Sequence, residues 1–197
     1  TEESTHRIMH VSRLDSASSD AAYQLIEAMA RLNEVYPDVQ TIIIGDGSDF
    51  ESVKARADEV HRSLGRLAVV MTGARSDVAK LLPCADAFVG VSRAALEAMS
   101  CRIPTVLAGA QGFLGIFDDS EEMLHRAQST NFCCRGEGAS SADAICGALI
   151  SLFSLGGERL SAIGENGRRV VEKYYSVSRM AGDAEEMYRS ALALRRD

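Results

Sequence analysis

Arg13, the stretch Ser92-Arg93-Ala94 and Glu97 offer the most chemistry in this chain. Arg13 follows the apolar run 7–11. A guanidinium there can grip a diphosphate through two parallel hydrogen bonds; it can equally close on its neighbour Asp15. Ser92 follows the apolar run 87–91 and is an N-cap candidate for a helix over 94–100. A helix that starts straight after a strand aims free N–H groups above the sheet, which makes an anion site or a site for water alone. Glu97 lies one turn into that helix. Its carboxylate suits the helix dipole and could accept hydrogen bonds from ribose hydroxyls, although a solvated face is the commoner fate of Glu.

Three glycine-bearing turns accompany these residues. Gly45-Asp46-Gly47 begins like a dinucleotide fingerprint, but Phe50 stands at the third glycine position and the motif follows the second strand. It reads as a strand-to-helix turn at Gly45 lining a crevice, without an NAD role. Gly90 permits a bend where a side chain would obstruct. Gly112 and Gly115 flank Phe113-Leu114 in a loop that can approach a ligand or act as a hinge.

Other chemistries are disfavoured. His6, His10, His61 and His125 show no ligand spacing, so no metal site is expected. The cysteines Cys84, Cys101, Cys133, Cys134 and Cys146 form an odd set without a CxxC pair, which suits reduced thiols and a cytoplasmic chain. Cys133 and Cys134 would face opposite ways in a strand. A net charge of −7 argues against nucleic acid as a partner. No apolar run is long enough to cross a bilayer, and no signal peptide is visible. Residues 1–6 are polar and read as a linker or chain end.

The elements that must position these residues alternate. Strands are expected at 7–11, 39–44, 67–72, 87–91 and 105–107, with a sixth at 131–134. Helices are expected at 20–34, 49–64, near 77–82 and at 94–100, with three more at 141–155, 158–174 and 177–194. Leu25, Ile26, Met29 and Leu32 share one side of the first helix. Ile42-Ile43-Ile44 suits a strand covered on both faces. This pattern predicts an α/β fold: a doubly wound, mainly parallel, six-stranded Rossmann-like sheet flanked by helices, with a helical C-terminus. If the first and fourth strands are neighbours, a crevice opens at their carboxyl ends, with Arg13 facing Ser92 across it.

Taken in order, several short motifs resemble the C-terminal donor-nucleotide domain of GT-B-fold glycosyltransferases (group 1, family 4-like). They are Val11-Ser-Arg-Leu-Asp15, Ile43-Ile-Gly-Asp-Gly-Ser48, Thr72-Gly73 with Ser76-Asp77-Val78, Ala85-Asp-Ala-Phe-Val89, and Leu96-Glu-Ala-Met-Ser100 followed by Pro104-Thr-Val106. The resemblance implies transfer of a sugar from a nucleoside-diphosphate sugar, without a metal or other cofactor. Arg13 would contact the diphosphate, and the backbone around Ser92, Arg93 and Ala94 would cap it. Glu97 would hold the ribose, and Gly73, Ala74 and Arg75 would lie near the base. The diphosphate leaving group would be stabilised by Arg13 and the helix start.

Two departures from the family pattern stand out. The family has a lysine about five residues after the arginine, where Ser18 and Ser19 stand here. It also has a sugar-binding glutamate eight positions before the one matched by Glu97, where this chain has Val89. The resemblance assigns 7–176 to the donor domain. It makes 177–197 a helix packing toward an N-terminal acceptor domain outside this sequence, through which any peripheral membrane association would run. Met180, Met187, Leu192 and Leu194 would form the packing stripe. The alternatives are a non-catalytic nucleotide-binding or assembly module and a nucleotide-sugar epimerase of the same fold.

Overall fold

The apolar, β-branched runs pair into one sheet. In the computed structural model, which describes residues 6–193, the strands are β1 (Arg7–Val11), β2 (Gln40–Ile44), β3 (Val69–Met71), β4 (Ala87–Gly90), β5 (Thr105–Gly109) and β6 (Gly112–Ile116). Their order is β3-β2-β1-β4-β5-β6. The first five are parallel, and β6 runs antiparallel to β5. β1 pairs directly with β4, with Ile8 opposite Ala87 and Met9 opposite Phe88. The connections leave these two strands in opposite directions, so a crevice forms at their carboxyl ends.

The helices are α1 (Asp20–Val35), α2 (Phe50–Leu64), the single turn α3 (Val78–Leu81), α4 (Ser92–Ser100), α5 (Glu121–Ser129), α6 (Ala142–Phe153), α7 (Gly157–Tyr174) and α8 (Val177–Ala193). They cover both faces, and strand alternation sorts the core into two layers. Ile8, Ile43 and Val89 pack with Leu25, Met29 and Leu149 under α1 and α6. Met9, Phe88 and Leu107 pack with Ala95, Met99 and Val170 under α4 and α7. Each fully buried Leu, Ile or Phe contributes roughly 1.5–3 kcal/mol. α7 passes close behind the end of α4 because Gly164 lacks a side chain: a Cβ there would lie 2.2 Å from the Arg102 carbonyl oxygen.

The sixth strand differs from expectation. It is not 131–134 but 112–116, so the anticipated loop carrying Gly112 is half of a hairpin turning at Ala110-Gln111. Gly112 opens β6, where a Cβ would meet the Cys134 carbonyl oxygen at 2.1 Å. Residues 131–134 instead form a tight turn. Asn131, Phe132 and Cys134 have φ of 52°, 58° and 59°, which no extended strand accommodates. Cys134 is buried and Cys133 half-buried, through turn geometry rather than strand alternation.

α5 falls in the stretch 116–128, whose mixed composition gives only a partly helical reading, and the remaining differences are at the ends of elements. α4 begins at Ser92 with Val91 before it, and Ser92 makes no side-chain capping bond. His6 stacks on Phe153, ring centroids 4.3 Å apart, with Tyr36 edge-on at 4.7 Å; residues 1–5 of the expected linker lie outside the described residues. α8 buries none of its residues. Val177, Met180, Met187, Tyr188 and Leu192 are each more than 60% exposed along it, and Leu194 of the expected stripe lies outside the described residues.

Candidate functional site

The floor of the crevice is made where three strand ends are tied together. Ser12 N–H donates to the Ile44 carbonyl (3.2 Å), Leu14 N–H to Asp46 (3.0 Å) and Gly45 N–H to Gly73 (3.0 Å). Gly45 is required for this approach, because a Cβ would sit 1.8 Å from the Ser12 carbonyl oxygen. The Gly-Asp-Gly sequence therefore serves close backbone packing at the crevice rather than a dinucleotide fingerprint.

Two hollows open above this floor. The larger, about 470 Å³, runs from the end of β1 across the start of α4 to the β5–β6 turn at Gly109–Gln111 and to Cys133. The smaller, about 450 Å³, is lined by Gly45, Asp46, Ala74, Arg75, Val78 and Glu97. They share one wall, made by Val11, Ser12, Arg13, Arg93 and Ala94. Arg13 and the start of α4, expected to face each other from topology alone, thus meet in the structure.

The chemistry of that shared wall follows from its hydrogen bonds. The Arg13 side chain is 83% exposed and pairs only loosely with Asp15, at 3.8 Å. Arg93 is exposed and has no ion pair among the described residues. Ser92 has φ 57° and gives its N–H to the Phe132 carbonyl over 2.7 Å. Its backbone donor is therefore spent, and Arg93 and Ala94 carry the open N–H groups of the helix start. Two arginines and two open amides line this wall, groups whose chemistry suits an anion.

The serines at the expected lysine position are already engaged. Ser18 Oγ lies 2.6 Å from Asp15 Oδ1 and 2.8 Å from the Arg13 carbonyl oxygen, and its single proton is taken up between these two acceptors. Buried Ser19 donates to Asp49 Oδ2 at 2.7 Å. The Ser18 hydroxyl is the main reason that the Asp15 carboxyl sits below its ordinary value. Neither serine has a proton left for a phosphate, and neither brings charge.

Glu97 is exposed beside Asp46 and Arg75 and makes no ion pair among the described residues. Arg75 is held by a fork to Asp77 at 2.8 and 2.7 Å, which lowers the Asp77 carboxyl. Ala74 and Arg75 line the smaller hollow, whereas Gly73 serves beneath it through its carbonyl. Gly90 is the buried last residue of β4 and lines neither hollow; nor does Gly112. Val89, eight positions before Glu97, is fully buried inside β4 with its side chain in the core under α1 and α6. Counting back along the sequence therefore reaches the interior, not the crevice.

In the sequence His10 is one of four scattered histidines without ligand spacing; the fold gives it a place at the crevice. It is 2% exposed at the edge of the larger hollow. Nδ1 lies 2.8 Å from the Val89 carbonyl oxygen and Nε2 2.8 Å from Ser12 Oγ. Burial pushes its imidazole below the ordinary value. The available signal was a histidine inside an apolar strand, two residues before a serine at the strand's carboxyl end. Among the described residues, no group of three His, Cys, Asp or Glu is placed to hold a metal ion. No helix there is long and apolar enough to cross a membrane.

Solved structures share this architecture. A glycosyltransferase from Rickettsia africae ESF-5 superposes with a TM-score of 0.71 at 20% identity, over 95% of this chain and 48% of that one. Anabaena Alr3699/HepE, in complex with UDP and glucose, gives 0.69 at 16% identity, over 94% and 48%. The C-terminal domain of the group 1 glycosyl transferase LpcC from Francisella tularensis gives 0.64 at 18% identity, over 87% of each chain. At these identities the likeness establishes the fold, and the chain spans about half the length of the first two proteins. No curated protein sequence matches this chain. The family model for glycosyl transferases group 1 matches residues 5–150, which include every strand and the whole crevice. This chain therefore belongs to the glycosyl transferases group 1 family.

Proposed function

We propose that this chain is the donor-binding half of a glycosyltransferase that moves a sugar from a nucleoside-diphosphate sugar to an acceptor. The observation that carries this reading is the pair of hollows joined at a wall of two arginines and two open helix amides. A nucleoside diphosphate sugar has the matching shape: a nucleoside, a dianionic bridge and a glycosyl group. The nucleoside lies in the smaller hollow, with Glu97 accepting from ribose hydroxyls and Ala74 and Arg75 beside the base. The diphosphate lies against Arg13, Arg93 and the N–H groups of Arg93 and Ala94, while Ser92 contributes position rather than its amide. Leaving-group charge is met by these cations and the helix start, so donor binding needs no metal.

The acceptor belongs to an N-terminal domain outside this sequence, against which α8 packs through its exposed apolar residues. Any membrane association runs through that domain, and the reaction takes place in the cytoplasm. Calorimetry with UDP, GDP and ADP tests the reading: one of them binds, and chelation of divalent ions leaves the affinity unchanged. Binding of none, by this chain or its full-length parent, removes the donor-site assignment. One observation favours a second reading, a binding module without transfer: with Ser18 and Ser19 spent, the family's second cation has no substitute at that position. Turnover of any donor by the full-length protein, even slow hydrolysis, excludes that module.

A further inference from the structure

With the nucleoside placed in the smaller hollow, the larger one is left for the glycosyl group, and it is lined by no Asp or Glu. A sugar presents a ring of hydroxyls that must donate as well as accept, and a buried donor left unpaired costs about 1–3 kcal/mol. The hollow needs acceptors. Of the uncharged polar side chains around it, Ser92 has no hydroxyl partner among the described residues and can turn either way, while others are already partly committed. Gln111 Oε1 receives the Arg135 Nε–H (3.2 Å), and Cys133 Sγ points its proton at the Asn131 carbonyl.

Ser12 is different, because a buried group decides its polarity. A carbonyl oxygen only accepts, so the 2.8 Å contact to Val89 requires the proton on His10 Nδ1. Burial keeps the ring neutral, which leaves a lone pair on Nε2. The Ser12 hydroxyl, 2.8 Å away, must then donate to it. The hydroxyl oxygen is left with lone pairs only, at the wall common to both hollows.

We propose that Ser12 is a specificity-determining hydrogen-bond acceptor for a hydroxyl of the donor sugar, with His10 as the positioning residue that holds it acceptor-only. This rests on the donor-binding reading above. The device spans the switch point, because His10 of β1 is anchored to the Val89 carbonyl of β4 and acts on Ser12, the residue that follows β1. It selects glycosyl groups that carry a free hydroxyl at that point over those that carry an acceptor there, such as a carboxylate or an oxo group.

The test combines calorimetry with nitrogen NMR of the histidine ring. UDP, GDP, UDP-glucose, UDP-N-acetylglucosamine, UDP-glucuronic acid and GDP-mannose are titrated into the wild type, Ser12→Ala, His10→Asn and His10→Gln. Expected are the Nδ1–H tautomer for His10 and a fall of about 3- to 10-fold in the ratio of nucleotide-sugar to diphosphate affinity in Ser12→Ala. The same ratio falls in His10→Asn, which keeps a donor for Val89 but whose shorter amide puts no acceptor at the Nε2 position. It recovers in His10→Gln, whose amide oxygen can stand near Nε2. An Nε2–H tautomer, or an unchanged ratio in Ser12→Ala with diphosphate still bound, overturns the proposal and leaves the donor reading intact. No binding of any diphosphate by the wild type overturns both.

Discussion

The backbone N–H of Ser92 donates to the carbonyl of Phe132 over 2.7 Å, and both residues are left-handed, with φ of 57° and 58°. The turn 131–134 thus braces the start of α4 from behind. Phe132 is anchored in turn, being fully buried with ring centroids 5.6 Å from both Phe117 and Tyr175. The amides of Arg93 and Ala94 are held open by packing nearly forty residues away in the chain.

That brace makes Ser92 a strained position, since a left-handed non-glycine residue costs about 1–2 kcal/mol. Ser92→Gly should raise unfolding free energy by up to about 1 kcal/mol, partly offset by the greater freedom of the unfolded chain. Ser92→Val should lower it by about 2 kcal/mol or more. Urea denaturation of both variants measures the pair.

Phe132→Ala removes the anchor. Loss of a fully buried Phe should cost about 3–5 kcal/mol. In whatever fraction remains folded, nucleotide affinity should drop, because α4 loses the carbonyl that holds its first turn. Denaturation and calorimetry on the same samples separate the two effects.

Arg13→Ala should weaken diphosphate binding by about 10-fold or more, the scale of one charge-assisted hydrogen bond. Glu97→Ala should weaken nucleosides and diphosphates alike. Both side chains are exposed, so unfolding midpoints should stay put. Unchanged affinity in both variants would place the site elsewhere.

Val89→Glu, intended to restore the family's glutamate, should fail. It buries a carboxylate in the core under α1 and α6 and should cost at least ~3 kcal/mol. A stable variant with stronger nucleotide-sugar binding would show that β4 can rotate this residue toward the crevice.

His10 gives a signed pH dependence. Its folded value lies below its ordinary 6.5, so below pH 6.5 the unfolded chain binds the proton more readily than the folded one. Stability is fully present above pH 6.5 and is lost as the pH falls through the folded value. Asp15, Asp77 and Asp119 are lowered from 3.8 and lose their contribution only in stronger acid. Melting at pH 7.5 and 5.5 should show a larger drop for the wild type than for His10→Asn.

Much of this protein is local and readable in its sequence. Isoleucines 42–44 and the helical spacing of Leu25, Met29 and Leu32 determine a parallel sheet covered on both faces, because burial periodicity is a local property. An assumed β1–β4 neighbourhood puts Arg13 opposite Ser92, since chain reversal at a switch point fixes where loops gather; Glu97 is reached through its place in the helix and the family resemblance, and the strand order itself comes from the folded chain. Tertiary structure decided what depends on distant neighbours. Residues 131–134 read as a strand, but left-handed backbone at Asn131, Phe132 and Cys134 and the Ser92 amide make them a brace. Gly112 reads as a loop, but pairing with Gly109 makes it an edge strand. Whether Ser18 could replace a lysine turned on Asp15, and the polarity of Ser12 turned on a carbonyl in β4. Hydrogen bonds between residues dozens of positions apart leave no periodic trace, so only the folded chain reveals which donors are spent and which remain for a ligand.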